Sequence, residues 1–234
     1  FSRLNLPTDS YGQFKAVMLG EPACVEACVP VSLIQCMKSV LATTWFTTQG
    51  LAQPVEHVLG SRAGDPFADL IYAFLCAKVL HRCHEALSDA GLIDTTSPPA
   101  LPTIVFPGLT TKVVEDMGSN YVDDTLIYNS HVCPITCVEN HRLIIVIVVD
   151  IFASHGLLLN YKKGKCASLL TLRGRGAKAL KCIVYQPTQP TIDVVSKMCG
   201  GISVFIVHSY KHLGAVHTSY GDMRPEASNR IHAS

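Results

Sequence analysis

Asp123 and Asp124 stand side by side in the run Tyr121-Val122-Asp123-Asp124, which carries hairpin character on both flanks. Adjacent carboxylates repel one another, and the pairing is costly unless a cation neutralises it. Mg²⁺ suits such a pair, because it prefers carboxylate and phosphate oxygens and retains part of its water shell. Two such ions, with Mn²⁺ as a possible substitute, clamp the attacking and leaving oxygens of an in-line displacement at phosphorus. An ordinary solvated turn also accommodates an Asp pair, so the two residues do not decide the matter alone.

Three further segments surround the pair in a fixed order. Gly60-Ser61-Arg62-Ala63-Gly64-Asp65-Pro66 precedes it; Gly156-Leu157-Leu158-Leu159-Asn160-Tyr161-Lys162-Lys163 and Tyr210-Lys211-His212-Leu213-Gly214 follow it. Singly, each has a plain alternative: a loop-to-helix start, a surface lysine turn, a strand ending at glycine. Together, in order and approximate spacing, the four resemble the characteristic blocks of reverse transcriptases, nearest to the non-LTR retrotransposon type and next to group II intron enzymes. The resemblance covers about residues 45–234.

The resemblance implies an α+β polymerase palm, an antiparallel sheet packed on helices, with partial fingers and the start of a thumb. Residues 1–59 would be a connecting segment of fingers and palm, 60–200 the palm, and 201–234 the primer-grip hairpin and thumb root. It implies RNA-directed DNA polymerisation: a primer 3′-hydroxyl attacks the α-phosphate of a dNTP on an RNA template, with two Mg²⁺ ions. Asp123 would ligate both ions and Asp124 would be its less directly coordinating partner. Tyr121 and Val122 would lie under the primer terminus and incoming nucleotide. Gly64 would let backbone approach the templating base, with Arg62 on phosphate or template. Lys162 would lie in the same substrate-facing turn as Lys163, which would approach the leaving pyrophosphate. Tyr210, Lys211, His212, Leu213 and Gly214 would grip the primer strand.

The match has gaps. Enzymes of this class use a third carboxylate on a strand N-terminal to the glycine block. Asp9 is the only Asp before Asp65, yet Pro7-Thr8 precedes it and no apolar strand leads into it. The expectation is a fragment whose third acid lies upstream of Phe1, inactive or nearly so by itself. Ala63, Ala68-Asp69 and Lys165 replace residues common in the family, so the glycine block is a variant. A catalytically inactive palm remnant that at most binds nucleic acid therefore stays open. So do a metal-dependent nuclease or cyclase on a similar sheet, and an interaction domain in which the Asp pair is a solvated turn.

The bulk properties are compatible with one large or two small folded domains: 234 residues, 48% hydrophobic and 16% charged, so disorder is not expected. Net charge is only +1, but its distribution is uneven. Between Asp150 and Asp193 there is no acid, while Lys162, Lys163, Lys165, Arg173, Arg175, Lys178 and Lys181 all fall there. A locally basic stretch can hold a phosphate backbone, or be a solvated face. The ten cysteines are irregularly spaced and many sit among apolar residues, which suits reduced thiols in an intracellular protein, nuclear or cytoplasmic and not secreted. Cys133, Cys137 and His141 share a helical face, but structural zinc uses four ligands at tighter spacing. No leader is visible, and the most apolar stretch, Leu143 to Val149, is far shorter than the roughly 20 residues of a membrane span.

These residues need elements to position them. An amphipathic pattern predicts a helix between Pro30 and Trp45, and Thr43–Thr48 reads as a strand turning at Gln49-Gly50. Asp65-Pro66 suits the start of a helix reaching His84 or Leu87. Thr95–Pro102 reads as a linker, and strands flank the Asp pair, the second from Thr125 to Tyr128. Cys137–His155 is ambiguous, its length and the stop at Gly156 favouring helix. Leu157–Leu159 and Ala167–Leu172 look like strand around a Lys-rich turn. Ile202–His208 and Lys211–His217 suggest a hairpin, and a helix opens near Asp222, Pro225 and Glu226. No internal repeat is visible.

Overall fold

The Ile/Val-rich run that is ambiguous between strand and helix is a helix of 21 residues, Pro134–Ser154. Its boundaries have local causes. Pro134 occupies the first turn, where a missing N–H costs nothing. At the other end Gly156 adopts φ +77°, and two backbone bonds close the terminus: Gly156 N to Ala153 O at 2.9 Å and Leu157 N to Phe152 O at 2.9 Å. That pair is a Schellman motif, and its left-handed position favours glycine.

The computed structural model describes residues 10–42, 45–46, 55–56, 66–96, 114–121, 124–186, 188–212, 215–220 and 222–233. Its elements begin with α1 (Tyr11–Met18), α2 (Ala23–Glu26), α3 (Val31–Leu41), β1 (Trp45–Phe46), β2 (Val55–Glu56) and α4 (Pro66–Asp89). There follow β3 (Asp94–Thr96), β4 (Val114–Asp116), β5 (Gly118–Tyr121), β6 (Asp124–Ile127) and α5 (Pro134–Ser154). The chain continues through β7 (Ala167–Leu169), α6 (Ala177–Val184), β8 (Thr191–Ser196), β9 (Gly200–Val207), β10 (Ser209–His212), β11 (Ala215–Thr218) and α7 (Arg224–Ala233). The class is α+β. Among the described residues four two-stranded antiparallel ribbons accompany one three-stranded sheet of order β7-β9-β8, in which β7 runs parallel to β9.

The chain divides into two compact units, residues 15–81 and residues 1–14 with 82–234. In the smaller unit the Lys78 ammonium lies 2.7 Å from the Glu26 carboxylate and donates to the Glu21 carbonyl at 2.7 Å, fastening the first part of α4 to the α2 segment. Met37, Ala68 and Val79 are its buried apolar residues among those described.

The larger unit is built around α5 lying on the three-stranded sheet. β8 and β9 alternate strictly: Ile192, Val194, Ile202, Val204 and Ile206 are buried, whereas Asp193, Val195 and Ser203 face out. This period-two pattern puts one face of the sheet against the helix. Val138 and Val149 of α5 share that core with Leu170, Leu172 and Ala177. Asp150, also on α5, reaches the β8–β9 turn: its carboxylate accepts from Ser196 Oγ at 2.5 Å, Met198 N at 3.0 Å and Lys197 N at 3.4 Å. Ser196 Oγ in turn accepts from Met198 N and Cys199 N. Phe14 of α1 packs with Ala153 and Met198 beside that turn, and the Ser10 hydroxyl donates to Lys197 O at 2.9 Å. On the same helix His141 Nε2 lies 2.9 Å from the Ser168 hydroxyl of β7, and burial pulls its pKa from 6.5 down to about 4.

Several expectations need correction. Thr95 and Thr96 are in β3, paired with β4, and not in a linker. Leu157–Leu159 forms no strand, because the chain leaving the Schellman turn has no partner strand among the described residues there. Ile202–His208 and Lys211–His217 do not pair with each other: β9 pairs with β8 and β7, while β10 pairs with β11. The expected strand at Thr43–Thr48 is seen as β1 alone, with β2 returning against it; Thr43, Thr44 and 47–54 lie outside the described residues, as does Asp65. The helices expected after Pro30, at Pro66 and near Glu226 are α3, α4 and α7. All ten cysteines are free thiols. Among the described residues no helix is long and apolar enough to cross a membrane.

Two measurements check these anchors. Asp150→Ala is expected to lower stability by about 2–4 kcal/mol in urea titration, since it strands the Ser196 hydroxyl and the Met198 amide. The unfolded chain protonates His141 near 6.5 and the folded chain resists until about 4. Lowering pH through that window therefore removes stability, by about 3 kcal/mol in total. His141→Gln should flatten the wild-type slope of stability against pH between those values, leaving the region above pH 7 unchanged.

Candidate active site

The β5–β6 ribbon pairs Gly118 with Ile127, Ser119 with Leu126, Asn120 with Thr125 and Tyr121 with Asp124. The Thr125 hydroxyl donates to Asn120 Oδ1 at 2.5 Å across the strands. Gly118 is required at the ribbon's base: it adopts φ +147°, and a Cβ there would meet Leu126 O at 1.8 Å. Asp124 opens β6 and is exposed. Val122, Asp123, Arg62 and Gly64 lie outside the described residues, as do Leu213 and Gly214, and Tyr121 is described by its backbone alone.

The lysine segment folds as a turn that its own residues hold. Asn160 Oδ1 accepts from Lys162 N at 3.1 Å, Cys166 N donates back to Asn160 O at 3.0 Å, and Lys165 N donates to Lys162 O at 3.0 Å. Gly164, at φ +81°, supplies the left-handed step. Lys162, Lys163 and Lys165 all project to solvent. The turn leads directly into β7, so the sheet fixes its position.

The β10–β11 hairpin carries the Tyr210 block, with Tyr210 opposite His217, Lys211 opposite Val216 and His212 opposite Ala215. The Tyr210 hydroxyl donates to the Lys165 carbonyl at 2.7 Å, joining the hairpin to the lysine turn. Burial raises the Tyr210 phenol above its ordinary pKa, and the charges of Cys166 and then Asp124 raise it further. Asp124 is thus within electrostatic reach of Tyr210. The Tyr210 bond ties the hairpin to the turn bearing Lys162 and Lys163, and the charge of Asp124 reaches the same phenol.

Behind the hairpin, α7 supplies a brace. Glu226 accepts from Val216 N at 2.6 Å and from Arg230 Nε at 2.5 Å. The Val216 amide, then the Arg230 guanidinium, hold its carboxyl below the usual range. His212 is only 6% exposed, and its Nε2 has no hydrogen-bond partner among the described residues. Its ring is buried, 6.3 Å between centroids from that of the exposed His217.

Asp124 can offer hard oxygen ligands to a divalent cation, and Lys162 and Lys163 can offer positive charge to phosphate. Among the described residues no group of three His, Cys, Asp or Glu side chains is placed to hold a metal, and Asp123 is not among those residues. Cys137 and His141 have other partners: the Asn129 amide donates to Cys137 Sγ at 3.7 Å, and His141 meets Ser168. Sequence reasoning missed the clamping role of Asp150, and it missed a row of rings formed by Tyr185, His208 and Tyr220. Their separations of 23 and 12 residues carry no periodic signal, and only the fold collects them.

In comparisons with known proteins the chain matches no family model, no curated protein and no solved structure.

The Tyr210–Lys165 bond is open to a direct check. Tyr210→Phe should cost about 1 kcal/mol in chemical denaturation. It should also speed amide exchange at Lys165, Cys166 and the β10–β11 pairs, with β8 and β9 protected as before.

Proposed function

We propose that this chain is the palm region of an RNA-directed DNA polymerase, related to the reverse transcriptases of non-LTR retrotransposons. The observation that carries the reading is the bond from Tyr210 to the Lys165 carbonyl, made with Asp124 in electrostatic reach. That bond joins two of the sequence blocks, the lysine turn and the Tyr210 hairpin, and the charge of Asp124 acts on the same phenol, which supports the reading. The α+β class with an antiparallel ribbon at Asp124 is compatible with a palm. A nuclease or cyclase site would leave the Tyr210 block unexplained.

In this reading Asp123 and Asp124 hold Mg²⁺, which supplies Lewis-acid polarisation and charge neutralisation at phosphorus. The donor chemistry fits: Asp124 is exposed and no cation among the described residues is paired with it. Lys163 balances negative charge at the departing pyrophosphate, Lys162 contacts substrate phosphate, and Arg62 and Gly64 meet the template. Tyr210 and Lys211 position the primer strand beside the lysine turn. The partners are an RNA template, a DNA primer and a dNTP.

A second reading, an inactive palm that retains nucleic-acid binding, is favoured by one observation: no third carboxylate is identified. Asp150 is committed to the β8–β9 turn, and Asp9 lies outside the described residues. Incorporation of dNTP by these 234 residues alone is accordingly expected at or near background, and robust extension of a primed RNA would contradict that.

The palm assignment itself is tested by linkage to Mg²⁺. At about 100 times its Kd the ion should stabilise the chain by about 2.7 kcal/mol and tighten binding of a primed RNA template. Asp124→Asn should remove most of both effects. If Mg²⁺ changes neither stability nor binding, the Asp pair is a solvated turn and the assignment fails.

A further inference from the structure

Beside the polymerase-like residues, the larger unit holds a cavity of about 340 Å³ lined by Leu170, Lys181, Cys182, Tyr185, His208, Ser219 and Tyr220. Its wall is a row of three rings. Tyr185 and His208 stack with centroids 4.6 Å apart and planes 15° apart; His208 and Tyr220 follow at 5.8 Å and 12°. The rings come from three places: the end of α6, the junction of β9 with β10, and the residues after β11.

The row is held from behind. The Tyr185 hydroxyl donates to Leu170 O at 3.1 Å, which fixes the inner ring against a buried residue of the core. Ser219 N donates to His208 O at 2.9 Å, and the Ser219 hydroxyl lies 3.4 Å from His208 Nδ1. The outer ring is different. Tyr220 is 64% exposed, a large aromatic surface left in water, with the Lys181 ammonium 5.9 Å from its centroid. Isolated exposed aromatics are common, but one that ends a preorganised stack with a cation over its ring has the parts of a binding site.

The surrounding charge narrows the ligand. Among the described residues no acid lines the cavity, and none occurs in sequence between Asp150 and Asp193. Arg173, Arg175 and Lys178, on the segment leading into α6 and on its first turn, are all exposed. Flat rings with cations beside them suit a flat, uncharged π system attached to a phosphate, and several cations in succession suit a chain of phosphates.

We propose that this cavity is a second nucleic-acid site, in which an unpaired nucleotide of a single strand places its base against the Tyr185–His208–Tyr220 row and its phosphate near Lys181. The site rests on the polymerase reading for the kind of polymer it meets, and its lining shares no residue with the carboxylate site. It would hold a single strand, RNA or DNA, without base specificity, because every base presents a π face.

The test is fluorescence anisotropy with fluorescein-labelled oligo(rU) and oligo(dT), in EDTA so that the carboxylate site is silent. Tyr220→Ala should weaken binding of at least one of the two strands about tenfold, and Tyr220→Trp should restore it. Lys181→Gln should reduce the slope of log affinity against log salt by about 0.7. The exposed position of Tyr220 makes misfolding a minor concern, and Lys181→Gln tests the site without touching the stack.

Wild-type affinity in both Tyr220→Ala and Lys181→Gln overturns the proposal, as does failure of the wild type to bind either strand. Equal affinity for free UMP or dTMP and for the oligomers overturns the single-strand assignment in favour of a mononucleotide site. None of these outcomes alters the Mg²⁺ linkage of Asp124, so failure here and failure of the polymerase reading are distinguishable.

Discussion

The larger unit depends on the seating of α5 against the three-stranded sheet, and on the carboxylate of Asp150 that locks this seating in register. Apolar burial holds helix to sheet but is tolerant of sliding, since it is proportional to area and not to direction. The bonds from Ser196 and Met198 to Asp150 are directional and charge-assisted, so they fix where along the helix the β8–β9 turn sits. A partly buried carboxylate is tolerated there because the turn's donors replace its water. Phe14 and Ser10 close over the same turn, so its far side is also covered.

That constraint propagates to the candidate active site through short connections. Gly156 ends α5, ten residues later the chain has passed through the lysine turn, and Ala167 enters the sheet beside Phe205. β10 begins two residues after β9 ends and lies beside β7. With the lysine turn strung between the end of α5 and the sheet, and the Tyr210 strand starting from the same sheet, the Tyr210–Lys165 bond needs no long lever. The segment that carries charge is exposed while its backbone is braced. The row of rings is a product of the same arrangement, since His208 is the residue that joins β9 to β10.

Some of this was legible in the residues. The helices after Pro30 and Pro66 and near Glu226 were readable because capping, proline placement and 3.6-residue periodicity are local, and the Gly156 stop named the end of α5 before any contact was known. The strand flanking Asp124 was readable from its turn. Strand partners were not. The Ile202–Val207 run alternates cleanly, yet alternation says only that one face is buried, and nothing in it distinguishes β8 and β7 from Lys211–His217 as neighbours. Thr95 and Thr96 read as linker because Pro98, Pro99 and Pro102 follow them, while a three-residue strand gains its stability from β4, eighteen residues away.

The sequence by itself determined the order of the chemistry-bearing blocks, the acid-free basic stretch and the alternating apolar strands, because each is a property of neighbours along the chain. Only the tertiary structure decided that Tyr210 meets Lys165, that Asp150 is a clamp, that His212 is buried, and that rings at 185, 208 and 220 stack. Those are encounters between residues far apart in sequence. They are selected by the burial of a shared core that no local pattern encodes.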